Sequence, residues 1–302
     1  MATGSSSAFQ IVFVPGLKPK PETDLHRDGL LRCLLVGLAR VDAHAASLLE
    51  ANPERFIVYP WTHAVYGQYR DFELDRPGIE RLLASPDPTP TDISEIELVN
   101  RRTTRLKHLI GDRFPLFGRW FASEPLKQSL SEARRYLRDR DGMGVQTRAG
   151  LTAILEDATR RSERIIVIGH SLGSVIAYDT LWELTRSSKV RVELLLTLGS
   201  PLATRFVRQL LKGADAGGSD RYPHNIRRWV NCSARGELTA LNPRLAGVFA
   251  EMLRLGLVES IEDHVDIYNH FRGLQGLNVH AAYGYLIHRA AATAIAAALT
   301  AD

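Results

Sequence analysis

The sequence predicts a doubly wound, mostly parallel α/β sheet with helices on both faces and a helical insertion ahead of its central strand. Three observations predict it. Short aliphatic runs alternate with stretches of helical periodicity along most of the 302 residues, the order that builds parallel sheets. One such run, Ile165-Ile166-Val167-Ile168, stops at Gly169-His170-Ser171-Leu172-Gly173 and passes at once into helix-compatible sequence. Between residues 61 and 145 the alternation breaks, which marks the insertion. A chain of this length is expected to form one domain, residues 1–302, because α/β folds of this size are routinely single.

The elements follow in order. Phe9–Val14 (FQIVFV) reads as a buried strand, and Pro15-Gly16-Leu17-Lys18 after it as a loop. Leu30, Leu31, Leu34, Leu35, Leu38 and Val41 recur at helical spacing, which predicts one helix over residues 25–49. Residues 56–59 (FIVY) form a second strand, so a right-handed parallel βαβ unit is expected. In the insertion Pro86, Pro88 and Pro90 break the chain, and Asp92 with Glu95 reads as a capping box. Ile93, Ile96, Val99, Thr103, Leu106 and Ile110 then make one apolar stripe. Phe114, Phe117, Trp120 and Phe121 follow, and a second helix is expected over 124–138. The segment 61–145 reads as a cap or lid whose aromatics line the site. Packing on the sheet edge is the alternative. Beyond it come a helix (151–161), the strand ending at Gly169, a helix (174–186) and the strand Val192–Leu198. A strand (226–231), a helix (245–255), a strand (264–269) and a final helix (281–299) close the chain. In such sheets function sits at the carboxyl ends of the strands.

Bulk properties narrow the classes. The chain is 45% hydrophobic and 24% charged, as expected of a soluble globular protein. The net charge is +4, and the clusters Arg101-Arg102-Arg105 and Arg134-Arg135-Arg138-Arg140 read as solvated helix faces. No aromatic-basic platform accompanies them, so nucleic-acid binding is not expected. The two cysteines, Cys33 and Cys232, read as buried apolar residues rather than a disulfide or metal pair. HExxH, an EF-hand loop and a Cys/His cluster are all missing, and VPGLKPKP lacks the G-x-G-x-x-G of dinucleotide folds; no metal or cofactor is expected. The start MATGSSSAFQ has no signal-peptide pattern, and no apolar run reaches membrane-spanning length. A cytoplasmic location is the expectation, with peripheral membrane contact left open.

The chemistry concentrates at Gly-His-Ser-Leu-Gly. A buried strand turning sharply into a helix around a serine is the context of a nucleophile elbow, and glycines two residues either side let the turn pack tightly. With GHSLGS and, further on, TLGSPL, the chain resembles the α/β-hydrolase superfamily, specifically its lipase- and esterase-like serine hydrolases. The resemblance implies a serine hydrolase that cleaves carboxylic esters of small-molecule substrates through a Ser-His-acid triad and an acyl-enzyme. The same machinery serves thioesterases, amidases and acyltransferases. A catalytically silent binding module of the same fold is the alternative from another class.

Ser171 is the nucleophile on this reading. The chain order of the superfamily, serine then acid then histidine, points to His280 between the last strand and last helix, in an H-x-x-Y setting with Tyr283. His270 is its rival; His288 falls inside the last helix, and His170 is expected to point away from the serine. Glu237, in Gly236-Glu237-Leu238-Thr239, stands where relatives carry an aspartate, with Asp263 and Asp266 as alternatives. The oxyanion donors implied are the backbone amides of Leu172 and Leu17, the latter on a loop with Pro15 in place of the relatives' histidine.

Overall fold

The computed structural model describes residues 8–110, 124–161, 163–237, 242–274 and 276–301. Of the aromatic group expected to line the site, Phe114, Phe117, Trp120 and Phe121 lie outside the described residues.

Six parallel strands form the sheet: β1 (Phe9–Val14), β2 (Phe56–Val58), β3 (Arg164–His170), β4 (Val192–Leu198), β5 (Ile226–Ala234) and β6 (Ser260–Ile267), in the order β2-β1-β3-β4-β5-β6. A separate two-stranded ribbon pairs β7 (Arg272–Gly273) with β8 (Gly276–Leu277). The central strands read as near-continuous apolar runs because both faces are covered. Ile11, Phe13, Ile166, Ile168, Leu194 and Leu196 enter the core on one face. Their neighbours Val12, Val14, Ile165, Val167 and Leu195 enter the core on the other. Successive side chains point to opposite sides, so one strand feeds two cores.

Twelve α-helices lie among the described residues. α1 (Thr23–Ala39), α2 (Ala43–Glu50), α3 (Trp61–Tyr66), α4 (Arg76–Ala84), α5 (Pro90–Ile110), α6 (Glu124–Leu137) and α7 (Met143–Arg160) precede β3. α8 (Leu172–Ser187) follows β3, and α9 (Arg205–Arg208), α10 (Ala250–Arg254), α11 (Ala282–Leu286) and α12 (Arg289–Leu299) complete the chain. Leu30, Leu34 and Leu38 of α1 pack on the first face with Ile295 of α12. Leu151 and Leu155 of α7 and Val175 and Ile176 of α8 pack on the second. α1 leaves β1 for one face and α8 leaves β3 for the other. The strand order reverses between β1 and β3, and in such sheets ligands bind outside the carboxyl ends of the strands at that point.

Several boundaries differ from the sequence expectation. The helix expected over 25–49 is two helices, because Asp42 stops the first and caps the second: its carboxylate accepts from the amides of His44 (2.9 Å) and Ala45 (3.0 Å). The last helix is likewise split, with the His288 imidazole accepting from Ala290 N at 3.2 Å at the start of α12. The capping box lies three residues earlier than expected. Thr89 is the cap and Asp92 its partner: Asp92 Oδ2 accepts from Thr89 N and Oγ1 (3.1 and 2.6 Å), and Thr89 Oγ1 accepts from Asp92 N (3.2 Å). Glu95 instead pairs with Arg272 at 2.5 Å. The helix expected over 245–255 shortens to five residues, since Leu245 N and Ala246 N donate to Asp263 and not into a helical ladder.

Candidate active site

Ser171 sits between β3 and α8 with φ 54° and ψ −125°. This is a conformation that non-glycine residues adopt only when the surroundings enforce it. Three bonds enforce it here. Ser171 N donates to Leu198 O at 2.9 Å, Ser174 N donates to Ser171 O at 3.0 Å, and Ser174 Oγ donates to the same carbonyl at 2.6 Å. The turn is also tight enough to need its glycines. A methyl on Gly173 would stand 2.0 Å from Val14 O, and one on Gly169 would stand 2.5 Å from Ser174 Cα. Leu172, the first residue of α8, is buried beside it.

The loop after β1 lies against the serine. A methyl placed on Gly16 would stand 2.7 Å from Ser171 Cβ and 3.3 Å from its Oγ. Leu17 follows on this loop. Trp61 Nε1 donates to Pro15 O at 2.8 Å, which ties the loop to α3. The proline in place of the relatives' histidine is therefore gripped through its carbonyl.

Glu237 and His280 come together from the two far loops. Glu237 Oε2 accepts from His280 Nδ1 at 2.6 Å, and the Glu237 side chain is buried while the His280 ring is half-buried. Tyr285 of α11 donates its hydroxyl to the same oxygen at 3.1 Å and accepts from Ala234 N at 2.9 Å. The pair lies over Gly199, whose φ of +55° turns the chain at the end of β4. A side chain there would meet His280 Nδ1 at 2.9 Å and Glu237 Oε2 at 3.0 Å. His280 is set beside the elbow by His170: its Nε2 bonds His280 O at 2.7 Å, and the two rings are 4.6 Å apart. His170 thus reaches toward the His280 loop, not away from the site. Burial, with His280 and Lys20 nearby, holds its imidazole well below the usual histidine range, so it stays neutral.

The alternatives take other positions. Asp263 accepts from Asn231 Nδ2, Leu245 N and Ala246 N at 2.8–2.9 Å, which anchors the chain after β5. Asp266 pairs with Arg235 at 2.7 Å on the surface. His270 is buried and bonds Ser85 O at 3.0 Å. The tyrosine of H-x-x-Y, Tyr283, donates to Asp75 at 3.0 Å and stacks on Phe271, while Tyr285 two residues on meets the acid. Sequence reasoning passed over Tyr285, Gly199 and Ser174; only the glycine carries a signal, lying in TLGSPL directly after a strand. Among the described residues no three His, Cys, Asp or Glu side chains gather as a metal would require. No described helix is long and apolar enough to cross a membrane.

A parallel sheet with helices on both faces, and a strained serine at its switch point, define the α/β-hydrolase fold. Residues 119–212 match the family model of the PGAP1-like alpha/beta domain, an α/β-hydrolase-like lipase/esterase family, and the matched stretch carries β3, Ser171 and β4. No curated protein and no solved structure matches the chain.

Proposed function

We propose that the protein is a serine hydrolase that cleaves carboxylic esters through an acyl-enzyme. The observation that carries this reading is the Glu237–His280 pair at 2.6 Å beside a serine held at φ 54°. Ser171 Oγ attacks the acyl carbon and gives its proton to His280 Nε2, while Glu237 at Nδ1 steadies the imidazolium. The amides of Leu17 and Leu172 donate to the oxyanion, each contributing about 3 kcal/mol to the barrier reduction. His280 returns the proton to the departing alcohol. Water, deprotonated by His280, then attacks the acyl-enzyme, releases the acid and restores Ser171.

A fluorophosphonate probe and p-nitrophenyl esters of graded chain length test the reading together. Wild-type protein is expected to take up the probe at Ser171 and to turn over at least one ester. Ser171→Ala is expected to lose both while keeping its fold by circular dichroism. Wild-type turnover by folded Ser171→Ala overturns the proposal.

A further inference from the structure

The loop that presents Leu17 is held at four points. Pro15 O accepts from Trp61 Nε1 (2.8 Å), Lys18 N donates to Tyr66 Oη (3.3 Å), and Lys20 O accepts from Arg70 N (2.8 Å). The fourth bond lies inside the loop, where Lys20 Nζ donates to Leu17 O. It closes the turn with a side-chain nitrogen where a backbone amide would normally serve. The turn needs closing, because Lys18 sits at φ 74° without being glycine. The Leu17 carbonyl and the Lys18 amide belong to one peptide plane. Lys20 grips it at the oxygen and Tyr66 at the nitrogen, so the plane is pinned on both sides and rotation about Leu17 is restricted. Tyr66 is in turn oriented by donating to Glu132 at 2.9 Å.

We propose that Lys20 is a positioning residue of the oxyanion hole: by holding the Leu17 carbonyl, its side-chain nitrogen keeps the Leu17 amide aimed where charge develops on the substrate. The inference rests on the hydrolase reading of Ser171. The setting favours it over a chance surface contact. Lys20 is half-buried and lies in the field of Arg70, Lys18, Asp75 and Glu132, and it acts in turn on His26 and His170. Burial, reinforced by Arg70, pushes it down to about 7. A side-chain nitrogen whose charged form is penalised by burial still donates a hydrogen bond, and the Leu17 carbonyl is the acceptor it meets.

The test compares wild type, Lys20→Met and Lys20→Arg in ester hydrolysis and in inhibition by an alkyl boronic acid, which forms a tetrahedral adduct at the serine. For Lys20→Met, kcat is expected to fall on the order of tenfold or more with KM within about twofold. Boronate affinity is expected to weaken by the same factor, since both read the oxyanion hole. Lys20→Arg, which restores a donor, is expected to recover most of the loss. Should Lys20→Met fail to fold, Lys20→Gln is measured in its place with the same expectation. A folded Lys20→Met or Lys20→Gln variant with wild-type kcat and boronate affinity overturns the inference and leaves the hydrolase reading intact. So does a loss confined to KM. A wild-type protein that neither hydrolyses esters nor takes up a fluorophosphonate at Ser171 overturns the hydrolase reading, and the inference with it.

Discussion

Glu237 Oε2 receives both the His280 imidazole and the Tyr285 hydroxyl, so one oxygen atom sets the position of two side chains. Glu237→Gln keeps the shape but replaces a carboxylate with a neutral amide, and the imidazolium loses its counter-charge. On the proposed mechanism kcat is expected to fall on the order of 10³-fold, with more activity left than in His280→Ala, because the base remains; steady-state kinetics of the two variants check the order. Tyr285→Phe removes the second donor to Glu237 and strips Ala234 N of its acceptor. Its cost is expected at about 1–3 kcal/mol in urea unfolding, alongside a reduced kcat. Gly199→Ala introduces a methyl about 3 Å from both members of the pair at a positive φ. Loss of turnover larger than loss of stability is the expected result, read by kinetics beside thermal melts.

At the scale of elements, two helices of the excursion before β3 bond to loops of the candidate site. α3 holds the loop after β1 through Trp61, and α5 holds the loop after β5. Asn100 Oδ1 accepts from Gly236 N at 3.1 Å, and Thr103 Oγ1 donates to Gly236 O at 3.2 Å. Both backbone polar groups of Gly236, the residue before Glu237, are therefore anchored to one helix face. Ile96 and Thr103 are buried on that face, as the stripe predicted, while Asn100 is the polar residue within it that periodicity does not single out. Asn100→Ala is expected to lower kcat by about tenfold while costing about 1 kcal/mol of stability, because it loosens the acid without touching core. Equal kcat in a folded Asn100→Ala protein would show that the loop holds itself. Asp42→Ala, remote from the site, is expected to cost about 1 kcal/mol through loss of the α2 cap and to leave kcat unchanged.

Across the whole molecule, buried ionisable groups set a pH dependence of stability. Burial raises the Asp179 carboxyl to about 7, against an opposing pull from the Lys212 amide and from Arg148. Unfolded, the same group ionises near 3.8. Between those values the folded protein holds a proton that the unfolded chain has released, so the contribution of Asp179 to stability falls as pH rises from about 4 to about 7, opposite in sign to that of the buried His26 and His288. Lys20 acts above that window. It is neutral in the folded state beyond about 7 but protonated in the unfolded chain up to about 10.5, so its own contribution to stability rises across that range. Asp179→Asn removes the acid-side slope. It is expected to gain on the order of 1–3 kcal/mol over wild type at pH 8 relative to pH 5, measured by urea unfolding at both values.

What could be read directly from residues was whatever is local or periodic. The mostly apolar runs at Phe9–Val14 and Val192–Leu198 are strands in those bounds, because a parallel strand buried on both faces is predominantly apolar. The elbow was equally legible, since a tight turn leaves no room for side chains at Gly169 and Gly173. Helix ends were less so. Asp42 and Thr89 end or start helices through side-chain bonds that compete with a continuing apolar pattern, and the pattern alone does not reveal which wins. Position in the third dimension was beyond reach from sequence. Asp263 and Glu237 are both acids near strand ends, yet three donors from Asn231, Leu245 and Ala246 surround one and His280 with Tyr285 meets the other. Tyr283 and Tyr285 likewise sit in one short helix but face Asp75 and Glu237 on different sides of it. Backbone propensity is written in neighbouring residues. Which buried polar group meets which is decided by how strands far apart in the chain are brought into register, and only the assembled sheet holds that information.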